Sequence, residues 1–133
     1  MYTFPYEVKK IAEGELVDPR ITLELFTVRG FLTIKFLIDS GADVTTLPIV
    51  PYAELFDFQK DLKKCVRIGG IEGKGVSAYP FTLTMKLGSQ RFRVRSYFIE
   101  SQVDPLLGRL DVWKLFSIHF DNRRGQTELN TIR

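Results

Sequence analysis

The chain is 133 residues long, with 19 Lys and Arg against 16 Asp and Glu and a formal net charge of +3. Apolar residues make up 44% and charged residues 26%, proportions that fit one globular domain and exclude a disordered tail, a collagen-like repeat and a low-complexity linker. One cysteine (Cys65) and one histidine (His119) exclude an intrachain disulfide and a His/Cys zinc cluster built by a single chain.

Residues 1–19 read as an N-terminal extension of a single domain spanning 1–133. Arg20 to Phe26 alternates Ile21, Leu23 and Leu25 with Thr22 and Glu24, the period of a half-buried strand. A turn at Thr27–Gly30 leads into Phe31–Ile38, whose Leu32, Ile34, Phe36 and Ile38 form a continuous apolar face. That strand stops at Asp39-Ser40-Gly41-Ala42-Asp43, and Val44–Leu47 resumes extended character. Pro51 then opens a predicted short helix with Tyr52, Leu55, Phe56 and Leu62 on one side. Cys65–Ile68 runs into a glycine-dense tip, Gly69-Gly70-Ile71-Glu72-Gly73-Lys74-Gly75. Phe81–Leu87 and Gln90–Ile99 alternate around the turn signal Gly88-Ser89. Leu106-Leu107-Gly108-Arg109 precedes a predicted helix over Leu110–Phe116, and Ser117–Phe120 with Gln126–Ile132 closes the chain as a hairpin. No apolar run reaches the eighteen residues of a membrane-spanning helix. The N-terminus lacks the basic start and apolar stretch of a secretory signal, so a cytoplasmic, reducing location without a membrane partner is expected.

Most candidate chemistries fail on residue type. His119 sits mid-strand with no serine elbow nearby, which argues against a Ser-His-Asp site. Cys65 has no cationic activator and is expected in the core. The glycine tip departs from a phosphate loop, because Gly69 and Gly73 are separated by three residues and Gly75 follows Lys74. The Arg91/Arg93/Arg95 stripe reads as the wet face of an edge strand. The acidic pentad stands apart. Asp-Ser-Gly often merely caps a turn. Here the flanking Phe36-Leu37-Ile38 and Val44 predict an interior turn, where an unpaired carboxylate is costly.

Phe36-Leu37-Ile38-Asp39-Ser40-Gly41-Ala42-Asp43-Val44-Thr45-Thr46-Leu47 resembles the active-site segment of retropepsin-like aspartic proteases. Two further elements match in order: Ile68–Gly75 resembles the glycine-rich flap, within a hairpin over residues 66–79, and Leu106–Arg109 resembles the apolar-apolar-Gly-Arg element. The match covers roughly residues 20 to 120. The helical insertion after Pro51 and the stretch Asp121–Arg133 depart from the shortest retroviral chains.

The resemblance implies an all-β fold, a closed retropepsin-like β-barrel with one or two short helices and one lobe per chain, and a homodimer acting on a peptide or protein substrate with no cofactor and no metal. Asp-Ser/Thr-Gly occurs once, and a two-lobed chain would need about twice this length. The second catalytic carboxylate therefore has to come from a second Asp39 across a twofold axis. Asp39, Ser40 and Gly41 are the implied catalytic residues, with Ser40 bonding across the dimer beneath the carboxylates and Gly41 giving the substrate backbone room. Ala42, Asp43, Ile68, Gly69, Gly70 and Ile71 are the implied substrate-binding residues. Arg109 pairs with Asp43 and Gly108 supports the site, with Arg20 as a further member of that network from the partner chain. Ala42 offers no hydroxyl to the carboxylate, so the expected rate optimum is weakly acidic or neutral. The alternative is a peptide-binding module that keeps the fold and cleaves little. A nucleic-acid-binding β-domain using the arginine stripe is the weakest reading, because only Tyr97 adds an aromatic, and no nucleic-acid partner is expected.

Overall fold

Period-two alternation organises nearly the whole chain, and the ladders assemble around the faces it makes apolar. The computed structural model describes residues 1–69 and 75–132. Among them are the strands β1 (Tyr2–Pro5), β2 (Glu7–Ile11), β3 (Gly14–Asp18), β4 (Arg20–Thr27), β5 (Gly30–Ile38), β6 (Thr45–Pro48), β7 (Val66–Ile68), β8 (Val76–Leu87), β9 (Gln90–Ile99), β10 (Leu106–Leu107), β11 (Phe116–Asp121) and β12 (Gln126–Thr131). The main sheet runs β4-β5-β10-β6-β9-β8-β7. Glu24 and Leu25 of β4 also pair with Lys86 and Met85 of β8, so the ladder from β4 round to β8 returns on itself. β1 and β12 pair antiparallel, and β11 flanks β12 in a separate three-stranded sheet.

The predicted β4–β5 hairpin is present, with Ile21 opposite Phe36 and Leu23 opposite Ile34. These four residues, Leu25 and Ile38 are all buried, together with Leu83, Met85, Val94 and Phe98 from β8 and β9. Each such aliphatic or aromatic side chain contributes roughly 1.5–3 kcal/mol on full burial, and this face carries most of the core. The turn at Gly88-Ser89 and the closing hairpin β11–β12 also lie where the sequence placed them.

Three expectations are corrected. The helix after Pro51 shrinks to α1 (Ile49–Tyr52), in which Val50 has extended torsions, followed by isolated turns at Ala53–Leu55 and Leu62–Lys64. The reason lies two residues apart. Phe56 and Phe58 both insert into one aromatic cluster with Phe81 and Phe98, and a helix cannot point i and i+2 at the same neighbour. Leu62, expected on the helix's apolar side, is exposed. The second correction is that β9 is not simply an edge. β8 pairs along its whole length and β6 pairs with Ser96–Ile99, leaving one flank open only over its first half. The stripe is engaged as well: the Arg91 guanidinium lies 5.1 Å from the Phe31 ring centroid, and Arg95 is held by Asp111.

The third correction is at Leu110–Phe116, where residues 110–115 form successive turns instead of a helix and Phe116 already opens β11. Asp111 adopts φ +66, a left-handed conformation that interrupts the helical path. Its buried carboxylate explains why this conformation persists. It accepts the Arg95 backbone N–H at 2.9 Å and both Nε and a terminal nitrogen of the Arg95 guanidinium at 3.0 Å, with Lys114 Nζ at 3.5 Å. The guanidinium bonds, then the backbone N–H, hold the Asp111 carboxyl well below the usual carboxylate range.

Folding thus lowers the affinity of Asp111 for a proton. Its contribution is complete above the unfolded-state value of about 4 and is lost as pH falls toward the folded value. We expect Asp111→Asn to cost about 1.5–3 kcal/mol at neutral pH, and urea denaturation of both proteins between neutral pH and about pH 2 to show the gap narrowing. A gap that does not narrow would remove the Asp111 charge from the ledger of stabilising interactions.

Candidate active site

Asp39 follows the last residue of β5, and the chain around it is fastened on two sides. Ile38 N–H donates to Pro19 O at 3.1 Å, Leu37 N–H to Pro105 O at 2.9 Å, and Asp39 N–H to Leu107 O at 3.1 Å. The pentad then folds on itself: Gly41 N–H donates to Asp39 Oδ1 at 2.9 Å, and Ala42 N–H to Asp39 O at 3.1 Å. A Cβ at Gly41 would lie 3.4 Å from the same carboxylate oxygen, so its absence keeps that side of the acid open.

A second set of bonds ties the pentad to Leu106–Leu110. Arg109 N–H donates to Ala42 O at 3.0 Å, Leu110 N–H to Asp43 O at 2.9 Å, and Gly108 N–H to the buried Thr45 Oγ1 at 3.0 Å. Gly108 lies so close to this segment that any Cβ would overlap the Val44 carbonyl and Thr45 N. The Arg109 guanidinium pairs with the Asp43 carboxylate within the chain, as expected. Both side chains are largely exposed in one chain, however, and an exposed pair contributes little.

Asp39 is half-buried, while Ser40, Gly41 and Asp43 are exposed, so the pentad is not the interior turn that the flanking residues predicted. The apolar neighbours Ile38 and Leu47 are buried, but the loop between them emerges on the wall of a cleft of about 1200 Å³. Asp39, Gly41, Ala42, Asp43 and Thr46 line that cleft together with Val66, Arg67, Ile68, Gly69, Gly75 and Val76 of the β7–β8 segment and with Tyr97, Ile99, Val103 and Leu106. Thus Ala42, Asp43, Ile68 and Gly69 share one cavity with Asp39, whereas Ser40 is not among its lining residues. Gly70 and Ile71 lie outside the described residues. The hairpin expected over 66–79 is present at its base, where Val66, Arg67 and Ile68 pair with Ala78, Ser77 and Val76.

Two further residues have surroundings that the sequence did not indicate. Arg20 pairs inside its own chain, with Asp18 at 3.2 Å and Asp104 at 2.9 Å, because β3 and the 102–105 loop bring those acids beside it. Cys65 is half-buried at the foot of the β7 hairpin instead of joining the core. Asp111 and Thr45 were missed as supports of the site. An acid in the first turn of an expected helix reads as a partner of the helix dipole, and Thr45 has no periodic signal to set it apart from Thr46.

The sequence matches no protein-family model and no curated protein. Among solved structures it is similar to the retropepsin-like aspartic protease of Rickettsia conorii, at 23% identity and a TM-score of 0.59 over 98% of each chain. The EIAV protease, solved with an inhibitor, aligns at 22% identity and a TM-score of 0.55, covering 69% of this chain and 82% of that one. The retroviral protease-like domain of Ddi1 from Leishmania major aligns at 15% identity and a TM-score of 0.53, covering 86% and 90%. The chain therefore has the retropepsin-like fold, a mostly β architecture shared with aspartic proteases, with a helix of only four residues.

The packing at Gly108 makes a sharp contrast with the ion pair beside it. We expect Gly108→Ala to destabilise the chain by about 1–3 kcal/mol through overpacking against backbone. Arg109→Ala should cost under about 1 kcal/mol in dilute solution. Denaturation of the two variants side by side checks the order, and a larger loss from Arg109→Ala would reverse the assignment.

Proposed function

We propose that the protein is an aspartic endopeptidase whose site is completed by a second copy of the chain. The observation that carries this reading is the placement of Asp39. Its carboxylate borders a largely apolar cleft, one oxygen is fixed by the Gly41 N–H, and the turn bearing it is open. Aspartic peptide hydrolysis needs two carboxylates, and each chain holds one Asp-Ser-Gly. Apposing two copies of Asp39 across a twofold axis supplies the pair and covers the exposed turn in one step.

In that pair the two carboxyls share a proton, because two like charges a few ångströms apart disfavour double ionisation. The ionised carboxylate takes a proton from a water held between the pair, and the water oxygen attacks the scissile carbonyl carbon. The protonated carboxyl hydrogen-bonds the carbonyl oxygen as it gains charge. Collapse of the tetrahedral intermediate breaks the C–N bond as a proton passes to the leaving nitrogen. The pair titrates as a unit, so the acid and base roles belong to the dyad and not to one copy. Ser40 is exposed in the single chain, and in this reading its hydroxyl bonds across the axis. The apolar lining from Val66, Ile68, Val76 and Ile99 suits side chains of an extended peptide. The same lining would serve a module that binds peptides without cutting them, and hydrolysis separates the two.

Digestion of a peptide library by wild type and by Asp39→Asn tests the reading. We expect cleavage by the wild type and a loss of about 100-fold or more in the variant, with a bell-shaped profile peaking at weakly acidic or neutral pH. Equal cleavage by both proteins would remove Asp39 from the chemistry, and a maximum below about pH 3 would contradict the role given to Ala42. A wild type that dimerises and binds peptides yet cleaves none would favour the binding module.

A further inference from the structure

Strands β2 and β3 form a two-stranded ribbon joined to neither of the other sheets. Every large apolar side chain in it is exposed: Val8 61%, Ile11 41%, Leu16 43% and Val17 52%. The register sets Val8 directly opposite Val17 on one face, while Ile11 and Leu16 stand on the other. A lone two-stranded ribbon is marginal in water, and one with apolar side chains on both wet faces has the composition of a surface that is covered in its working state.

The root of the ribbon lies beside the candidate site. Glu7 pairs with Lys35 at 2.7 Å, and Asp18 with Arg20 at 3.2 Å. Pro19, the next residue, accepts the Ile38 N–H, one position before Asp39. The root is therefore anchored while the tip has no sheet to join. At about 3.3 Å per residue its five-residue strands extend roughly 17 Å from that anchor. Residues 7–18 carry two Lys against four acids, a net charge of −2 on a chain of net +3, so the ribbon is acidic while the rest of the molecule is basic.

We propose that residues 7–18 are an arm that packs on a second copy of this chain and holds the dimer together. The proposal rests on the shared-Asp39 reading: if two Asp39 residues meet at a twofold axis, a segment tethered one residue away starts at the subunit boundary. The free ribbon then has the partner within reach, with apolar faces to bury and a charge opposite to that of the partner's body. The dimer gains contact area that the exposed, polar pentad does not supply.

The test is sedimentation of the full chain beside the double variant Val8→Glu/Val17→Lys. The new side chains are opposite in charge and face each other, which preserves the ribbon while removing the apolar face formed by Val8 and Val17. Neither position belongs to the cleft. The wild type is expected to dimerise, and the variant to raise the dimer Kd at least tenfold while regaining wild-type kcat at saturating concentration. Hydrogen exchange on the unaltered protein gives an independent readout should the variant fold poorly: amides of residues 7–18 gain protection in step with the dimer fraction. An unchanged Kd, or arm amides that exchange as fast in the dimer as in the monomer, would overturn the arm and leave the shared site standing. A wild type that stays monomeric while cleaving peptides would overturn both.

Discussion

Everything in the candidate site depends on one short set of hydrogen bonds that join the pentad and Thr45 to Leu107–Leu110. Arg109 and Leu110 donate to Ala42 and Asp43, Asp39 donates to Leu107, and Gly108 donates to Thr45 Oγ1. These bonds join segments more than sixty residues apart, and Gly108 is the residue that lets them approach, since a side chain would overlap Val44. A backbone-lined turn held in this way leaves Asp39 little freedom. Its carboxylate direction follows from the fold, and the Gly41 N–H completes the restraint.

The supports behind this turn differ in kind. Asp43–Arg109 is the conspicuous ion pair, but it is exposed on both sides and contributes little in a single chain. The less conspicuous Asp111 is buried and takes three bonds from Arg95. It thereby fastens the turns after Arg109 to β9. The barrel-like ladder does the rest, because β10 is only two residues long yet lies between β5 and β6. Energy is concentrated in the β4–β5 and β8–β9 faces and in the Phe56, Phe58, Phe81 and Phe98 cluster. The site itself sits at their rim, where few apolar contacts compete with an approaching chain.

That rim is also where the molecule looks unfinished. Asp39, Ser40, Gly41 and Asp43 are open to different degrees, and the ribbon next to them exposes its apolar residues on both faces. One cause accounts for both features if the working unit contains two chains. Under the proposed chemistry a single Asp39 lacks its partner, and a free two-stranded ribbon lacks the third strand or packing surface that such ribbons need.

The sequence by itself determined the all-β character, the β4–β5 and β8–β9 hairpins and the closing hairpin. Those signals are local: alternation of period two and a turn pair such as Gly88-Ser89. The apolar runs around Asp39 singled out that acid but predicted an interior turn, which the fold opens to the cleft. The pairing of Asp43 with Arg109 was legible through the resemblance of two separated motifs. Tertiary structure decided the rest. It reduced the expected helix after Pro51 to short turns because Phe56 and Phe58 both enter one aromatic cluster, and it placed Asp111 in a left-handed turn to hold Arg95. It also turned residues 1–19 into a sheet strand and a free ribbon, and set Arg20 beside Asp18 and Asp104. Each of these outcomes depends on a partner distant in sequence, and periodicity along the chain carries no record of which distant group a side chain will meet.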